Sequence, residues 1–411
     1  MFDIDKLHEI WLTISRNKTR SFLTAFGIFW GMFMFIGMIG IGQGFEYGLK
    51  SNISNIATNS MFVIARTTTI EYKGFNAGRY WEMTKDDMEV LKKQIKEIKT
   101  ITGMIMLGGF KATVTDKTCD VTLQGIDNLY YDVDRQNIIS GRGISYLDVA
   151  EKRKVCVVGN EAADQLFASG ENPVGKMVKI GSVYFLIIGI VKPSGNINFG
   201  GDPGTTVYIP SATAQQLLGK NSVDIISIVV PDNIKIKTIE ERVKDILRAK
   251  HLISPLDNNA VMTMNIQDMF LMFNYLFIGI ATLIWIVGLG TLFAGVVGIS
   301  NIMLVTVKER TNEIGIKRAL GAKPKVITRQ IMMESLLLTF IAGFLGMFFG
   351  ILLLVLLEQI TQEAKMFSNP TISFTMAIAG TIILVLSGLI AGIIPAKNAL
   401  RIKAIDALRD E

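Results

Sequence analysis

Four long apolar stretches without a single acidic or basic residue limit what this chain can fold into. They lie within residues 22–41, 269–307, 335–357 and 366–396. A helix needs about 20 mostly apolar residues to cross the roughly 30 Å hydrocarbon core of a bilayer, so each stretch can span it. We therefore predict an α-helical membrane protein with four transmembrane helices. The low share of charged residues, 19%, agrees with this class and not with a soluble enzyme, since soluble domains contain about 25%.

The stretch at residues 269–307 decides the topology, because it could form one long helix or two short spans. Lys and Arg in short flanking segments mark the cytoplasmic side of a membrane. One long helix places all three basic flanks on one side, namely residues 1–21, 308–329 and 397–411. We therefore predict a multi-pass protein of the inner (plasma) membrane with both termini in the cytoplasm. The net charge of +6 then reflects topology and does not indicate a nucleic-acid partner.

The resulting layout places about half of the chain outside the cytoplasm. In chain order we predict a cytoplasmic amphipathic helix at residues 1–21, a first span at 22–44, an extracytoplasmic domain at 45–268, a long second span at 269–307, a cytoplasmic loop at 308–330, a third span at 331–357, a short outer loop at 358–370, a fourth span at 371–396 and a cytoplasmic tail at 397–411.

The outer segment is predicted to be a large mixed α/β domain. Thr84 is placed to cap a helix, with Asp87 at the capping-box position. Strand-like segments flank this helix, and a second strand–helix–strand pattern recurs at residues 223–264. Between the two units, about residues 112–205 read as short strands and turns. We predict one subdomain built from both ends of the segment, with a second subdomain inserted between them.

The residues needed for catalysis or metal binding are scarce. His8 and His251 are the only histidines and stand isolated in sequence, so no metal site and no nucleophile–base arrangement is predicted. Cys119 and Cys156 are interpreted as buried free thiols rather than as a disulfide. The segment GENPVGKM at residues 170–177 resembles a phosphate-binding loop, but Met177 replaces the Ser or Thr that binds Mg²⁺. We expect no cofactor and no catalytic residue in this chain.

Three of the apolar stretches contain GxxxG spacing, which allows helix backbones to approach closely. Two readings are open, contact with a second copy of the chain and ordinary packing within one chain, and the second is the more common. The pairs are Gly27 with Gly31, Gly346 with Gly350, and Gly388 with Gly392.

The basic loop after the second span predicts a short helix. Thr311 or Asn312 can cap its start, and Gly321 can end it. A short helix joined firmly to two spans could pass force from a cytosolic partner into the membrane. The alternative is a solvated loop that only marks the cytoplasmic side, and the residues alone do not decide between them.

The sequence of this loop resembles the FtsX/MacB-like ABC transporter permeases, of the macrolide-exporter type. The run VKERTNEIGIKRALGAK at residues 307–323, followed by QIMMESL at 330–336, carries the resemblance. Matching segments lie along the whole chain and in the same order: RNKTRSFLT at 16–24, NPVGKMVKIG at 172–181, FLIIGIV at 185–191, AGIIPA at 391–396 and ALRDE at 407–411.

The resemblance implies a noncatalytic permease with an FtsX-like domain at about residues 275–405 and porter and sabre-like subdomains outside. The loop at 308–330 would be a coupling loop that docks on a separate cytosolic ATPase, which would hold the ATP and Mg²⁺. A second permease copy, identical or not, would complete the transporter within membrane lipid. The expected coupling residues are Arg310, Thr311, Asn312, Glu313, Gly315, Lys317, Arg318, Ala319 and Gly321.

The activity implied is mechanotransmission, in which ATP hydrolysis inside drives a conformational change outside without a polar path through the bilayer. Efflux of antibiotics, peptides or similar compounds, with a periplasmic adaptor and an outer-membrane channel, is the first expectation. The alternatives are a lipoprotein-releasing permease, a cell-division-type permease that regulates wall hydrolases, and a membrane receptor without an ATPase. The sequence does not identify the substrate.

Overall fold

The computed structural model describes residues 18–53, 55–168, 170–192, 201–361, 370 and 372–401. Most of the predicted amphipathic helix at residues 1–21 lies outside these residues, as do most of the outer loop at 358–370 and of the tail at 397–411. The chain forms two compact units, Leu49–Tyr275 and the combination of Met1–Gly48 with Leu276–Glu411. We describe each unit by itself.

The regular elements alternate between strands and short helices in the middle of the chain and are helical at both ends. In chain order they are α1 (Lys18–Ile53), β1 (Ser60–Ala65), β2 (Met83–Thr84), α2 (Lys85–Gln94), β3 (Thr100–Val114), β4 (Lys117–Ile126), α3 (Tyr130–Val133), β5 (Asn137–Gly141), α4 (Tyr146–Ala150), β6 (Val155–Gly159), α5 (Asn160–Leu166), β7 (Met177–Ile180), β8 (Val183–Lys192), a 3₁₀ turn (Pro203–Thr205), β9 (Thr206–Pro210), α6 (Ser211–Leu218), β10 (Ser222–Val223), β11 (Ile225–Val229), α7 (Lys237–Lys250), β12 (Val261–Asn265), α8 (Ile266–Glu309), α9 (Thr311–Ala319), α10 (Pro324–Ile360) and α11 (Phe374–Ala399).

Four helices in the described residues are long and apolar enough to cross a membrane, which confirms the predicted fold class together with the α/β domain. They are Ala25–Ser51 within α1, and α8, α10 and α11. The segment that could have formed a hairpin is one continuous helix of 44 residues. The third span starts earlier than predicted, because Pro324 occupies the first helical turn of α10, where its fixed φ and missing N–H cost nothing. Residues 324–330 are therefore helical and do not belong to the loop.

The extracytoplasmic unit is organised by one long strand. The first part of β3 pairs with β11, and its later part pairs with β4 and β7. Because β7 also pairs with β8, the pairings β3–β4–β9–β6–β8–β7–β3 close a six-stranded ring. Four strands of this ring, β4, β6, β7 and β8, lie within the region predicted as an insertion at about residues 112–205, whereas β9 follows that region and most of β3 precedes it. The ring shares β3 with the outer strand–helix units, so its strands and theirs form a single sheet.

Three apolar clusters fill this unit, and the third contains Phe62 and Tyr130. The first lies between α2, α7 and the strands β1, β11 and β12, and contains Leu91 and Leu247. The second fills the ring and contains Phe185 together with Cys119 and Cys156, both of which are free and buried.

His251 is not isolated in the fold, contrary to the sequence interpretation. Its Nε2 lies 3.0 Å from Oδ1 of Asp87, and its ring centroid lies 4.7 Å from that of Trp81. Asp87 is fully buried and also accepts a hydrogen bond of 2.7 Å from the backbone N–H of Thr84, which completes the predicted capping box. The histidine therefore joins the end of α7 to the start of α2, a contact between residues that are far apart in sequence.

Candidate coupling site

The coupling residues predicted from the sequence lie on and around α9, which connects α8 to α10. The helix starts at Thr311, with Arg310 at the N-cap position. This corrects the prediction that Thr311 or Asn312 caps it. The Thr311 hydroxyl instead donates to the carbonyl of Lys308 at 2.7 Å, where it satisfies an acceptor left open at the end of α8. Only one residue separates the two helices, so α9 follows α8 without a flexible linker.

The end of α9 is fixed by a Schellman motif. Gly321 adopts φ +87°, a left-handed conformation that glycine accepts without steric cost. The N–H of Gly321 donates to the carbonyl of Arg318, and the N–H of Ala322 donates to that of Lys317, each at 3.0 Å. These are the two bonds that define the motif, and they agree with the helix end predicted at Gly321. Because α10 starts at Pro324, α9 is also joined tightly to the third span.

An ion pair connects the start of α9 to α10. Nη1 of Arg310 lies 3.1 Å from Oε1 of Glu334, a residue that is only 4% exposed. Nε of Arg310 also donates to Glu313 at 3.0 Å. Burial opposes the charge on Arg310, but the carboxylates of Glu334 and Glu313 outweigh it and raise the pKa of the Arg310 guanidinium above its ordinary value. Arg310 therefore stays charged and holds both acidic side chains.

The two faces of α9 differ in burial. Ile314 and Gly315 are buried against the membrane unit. Ile314, Lys317 and the Arg310–Glu334 pair line a narrow cleft between α8, α9 and α10. On the opposite side Ile316 is 48% exposed and Leu320 is 83% exposed. The remaining exposed positions of the helix are Asn312, Glu313 and Ala319.

Two basic side chains among the predicted coupling residues, Lys317 and Arg318, have partners within the chain. Nη1 of Arg318 donates to the carbonyl of Leu400 at 3.1 Å, just beyond the end of α11. Nζ of Lys317 lies 3.8 Å from Glu313. Arg318 thus ties α9 to the fourth span, a contact that has no sequence signal because the partners are 82 positions apart. The helix is held by three of the long helices at once.

The GxxxG glycines all lie at contacts between helices of the same chain. Gly27 and Gly31 approach Gly295 and Leu292 of α8. The pair on α10 meets α1, where a Cβ on Gly346 would lie 2.4 Å from the carbonyl oxygen of Phe29. The remaining contacts are those of Gly350 with Phe33 and Ile36, Gly388 with Thr339, and Gly392 with Ser335 and Met332. The geometry corresponds to the intrachain reading.

The coupling residues predicted from the sequence did not include Glu334 or Ile316. Glu334 had a usable signal, since it is an acidic residue at the edge of an uncharged stretch and beside a basic loop. The exposure of Ile316 and Leu320 could not be read from the sequence, because it depends on which face of α9 the membrane helices cover. The assembled site is a short helix with an exposed face that is anchored to the long helices around it, so it can act through contact and movement.

Comparisons with known proteins cover most of the chain. The family model described as MacB-like periplasmic core domain matches residues 21–246, and the one described as FtsX-like permease C-terminal matches residues 285–404. A macrolide export ATP-binding/permease protein MacB from Bdellovibrio bacteriovorus is 28% identical over 99% of this chain and 62% of its own length. The MacB of Acinetobacter baylyi is 27% identical over 99% of this chain and 60% of its own.

These relatives are longer, and the chain spans about 60% of their length. Among solved structures, the periplasmic region of MacB from Actinobacillus actinomycetemcomitans matches 54% of this chain and 96% of its own, with 22% identity and a TM-score of 0.44.

Proposed function

The chain belongs to the MacB-like periplasmic core domain family, and we propose that it is the noncatalytic membrane permease of an ABC transporter in the inner membrane. In this proposal ATP and Mg²⁺ are bound by a cytosolic ATPase, and α9 is the contact through which that ATPase acts. The FtsX-like permease match over residues 285–404 supports this assignment, because it covers α9 and the helices on both sides of it.

The observation that carries the proposal is the way α9 is held. The helix α9 has nine residues. It is tied to α8 through Thr311, to α10 through the Arg310–Glu334 pair and to the end of α11 through Arg318. Its outer face presents Leu320 and Ile316 to solvent. A solvated loop that only marked the cytoplasmic side would need none of these anchors. A helix that transmits force needs all of them, since movement of its outer face must displace the spans.

The long helix α8 supports mechanotransmission as the mode of action. It continues unbroken for 44 residues, or about 66 Å at 1.5 Å per residue, which exceeds the roughly 30 Å hydrocarbon core. The four apolar stretches contain no charged residue, and ionisable side chains inside spans are what mark ion and proton paths. We propose that displacement of α9 moves α8, which carries the motion to the extracytoplasmic domain.

The proposed cargo is an antibiotic, peptide or similar compound that is expelled from the outer side through a tripartite pump. This cargo is supported by the relatives described above, which are macrolide export ATP-binding/permease proteins. In this proposal a second permease copy, an adaptor and an outer-membrane channel complete the assembly, and both termini lie in the cytoplasm.

The test is co-purification of an ATPase with variants that change one exposed leucine. Leu320→Asp places a charge on the outer face of α9, and Leu256→Asp is the matched control, because Leu256 is 79% exposed in the extracytoplasmic unit. We expect a P-loop ATPase to co-purify with the wild-type chain and with the control, and to fall about tenfold with Leu320→Asp, which corresponds to about 1.4 kcal/mol. Equal amounts of ATPase with the wild type and both variants would show that α9 is not the contact. Absence of an ATPase from all three preparations would reject the ATPase partner.

A further inference from the structure

A second groove in the membrane unit lies between α10 and α11. It has a volume of about 430 Å³, more than ten times the roughly 30 Å³ that one water molecule occupies. Leu400, whose carbonyl accepts from Arg318, is the one residue that it shares with the contacts described for the coupling site. Its lining comprises Pro324, Lys325, Thr328, Arg329, Met332, Met333, Leu336, Leu389 and Leu400.

The lining divides into a cationic end and an apolar end. Lys325 and Arg329 lie one helical turn apart on α10 and are both exposed. No ion pair links either of them to a carboxylate in the part of the chain that the structure describes. Arg329 and Leu336 are seven residues apart on one helix, so about 10 Å along the helix axis separates the nearer cation from this apolar residue. A ligand that fits must be anionic at one end and apolar at the other.

Close packing of the two helices holds the groove open at a fixed width. Oγ of Ser335 donates to the carbonyl of Gly388 at 2.9 Å. One turn further along α11, a Cβ on Gly392 would lie 3.4 Å from Cα of Met332. These contacts hold α10 and α11 together beside the groove, which the side chains of Met333, Leu336 and Leu389 line.

We propose that this groove binds an anionic phospholipid. Its phosphate contacts Lys325 and Arg329, and one acyl chain lies along Met333, Leu336 and Leu389. On α10 the groove runs from Pro324 to Leu336, so its apolar end reaches the start of the uncharged stretch at residue 335. Basic pockets between helices at the membrane surface are suited to acidic lipid headgroups. An acidic protein surface could reach the two cations but not the apolar end, since that end belongs to the span. In the orientation of the proposed function the lipid belongs to the cytoplasmic leaflet, while the binding itself requires only the membrane.

The experiment titrates the purified full-length chain in detergent with phosphatidylglycerol or phosphatidylcholine and counts bound lipids by native mass spectrometry. We expect one phosphatidylglycerol to bind the wild type about tenfold or more tightly than phosphatidylcholine, given two cations at the headgroup. The double variant Lys325→Gln/Arg329→Gln loses this preference. The matched control Lys308→Gln/Lys397→Gln removes two exposed charges outside the groove and keeps it.

Additional variants and a competition experiment distinguish lipid binding from the binding of a free anion or a protein. Met333→Trp narrows the apolar end without a change of charge, and we expect it to weaken phosphatidylglycerol binding, while millimolar inorganic phosphate does not displace the lipid from the wild type. Displacement by phosphate would show a free-anion site and overturn the proposal. Unchanged lipid preference in the Lys325/Arg329 double variant, with loss of a co-purified ATPase, would show a protein contact and also overturn it. Leu320→Asp should bind phosphatidylglycerol as the wild type does. The lipid result can therefore be interpreted even if the ATPase proposal fails.

Discussion

Arg310 and Glu334 form an ion pair of 3.1 Å between the short helix α9 and the third span. Side-chain exposure is 22% for the arginine and 5% for the glutamate. Protein groups rather than water must therefore stabilise the charge of the Glu334 carboxylate. A carboxylate in this position is costly without a cation. The pair therefore fixes the position of α9 relative to α10, and movement of one requires movement of the other.

Removal of Arg310 should destabilise the membrane unit more than removal of the whole pair. Arg310→Met leaves the Glu334 carboxylate buried without this partner, and we expect a loss of about 3 kcal/mol. The double variant Arg310→Met/Glu334→Leu should recover part of this loss, because it removes both charges. Thermal unfolding of the wild type, the single variants Arg310→Met and Glu334→Leu, and the double variant in one detergent measures the coupling. Additive effects of the two single changes would show that the pair contributes nothing.

A methyl group at Gly346 should disrupt the packing of α10 on α1. The added Cβ of Gly346→Ala would lie 2.4 Å from the backbone oxygen of Phe29, which cannot yield as a side chain could. Overpacking of this kind costs about 1–3 kcal/mol. Gly290→Ala is the control, since a Cβ there meets nothing within 4 Å and alanine is the better helix former. Equal melting temperatures for the two variants would contradict the helix contact.

The parts of the fold that follow from local sequence were predictable. The uncharged stretches identify the spans, and the Thr84–Asp87 spacing identifies a helix start. Gly321 similarly marks the end of α9. Each of these signals lies within a few residues and acts through backbone geometry or hydrophobic length alone.

The parts that depend on distant residues were not predictable. Closure of the ring through β7 requires pairing with both β3 and β8, and β7 is only four residues long. Arg318 looked like a docking residue because its partner, the Leu400 carbonyl, is a backbone atom, which has no sequence signal. His251 looked isolated for a related reason, since Asp87 lies 164 positions away. In each case tertiary contacts assign a role that composition and spacing leave open.

Stability of the extracytoplasmic unit should depend on ionised Asp87. Burial by itself would raise the pKa of this carboxyl group, but hydrogen bonds from His251 and Lys250, followed by that from the Thr84 backbone, outweigh it. The folded-state pKa therefore lies well below the ordinary value. A lowered pKa contributes stability that is present above about pH 4, the value for an unfolded chain, and that is lost as the pH falls towards the folded-state value.

Asp87→Asn should accordingly lower the stability at pH 7 by about 2 kcal/mol and by less at pH 3. Tryptophan fluorescence during thermal unfolding can follow the change, since Trp81 lies beside His251. Asp86→Asn, at the exposed neighbouring position, is the control and should have little effect. The same loss at both pH values would mean that the charge on Asp87 is not its source.

The two cysteines should resist alkylation in the folded protein. Burial raises the pKa of the Cys156 thiol well above its ordinary range, and burial with the nearby Asp120 charge raises that of Cys119. Since the thiolate is the reactive form, a maleimide at pH 7.5 should label neither residue until the protein is unfolded, and then both. Ser182→Cys adds an exposed thiol in the turn before β8 and should react at once. Rapid labelling of Cys119 or Cys156 in the native protein would contradict the closed core of the strand ring. Absence of labelling after unfolding without reductant, with full labelling once reductant is added, would instead reveal a disulfide.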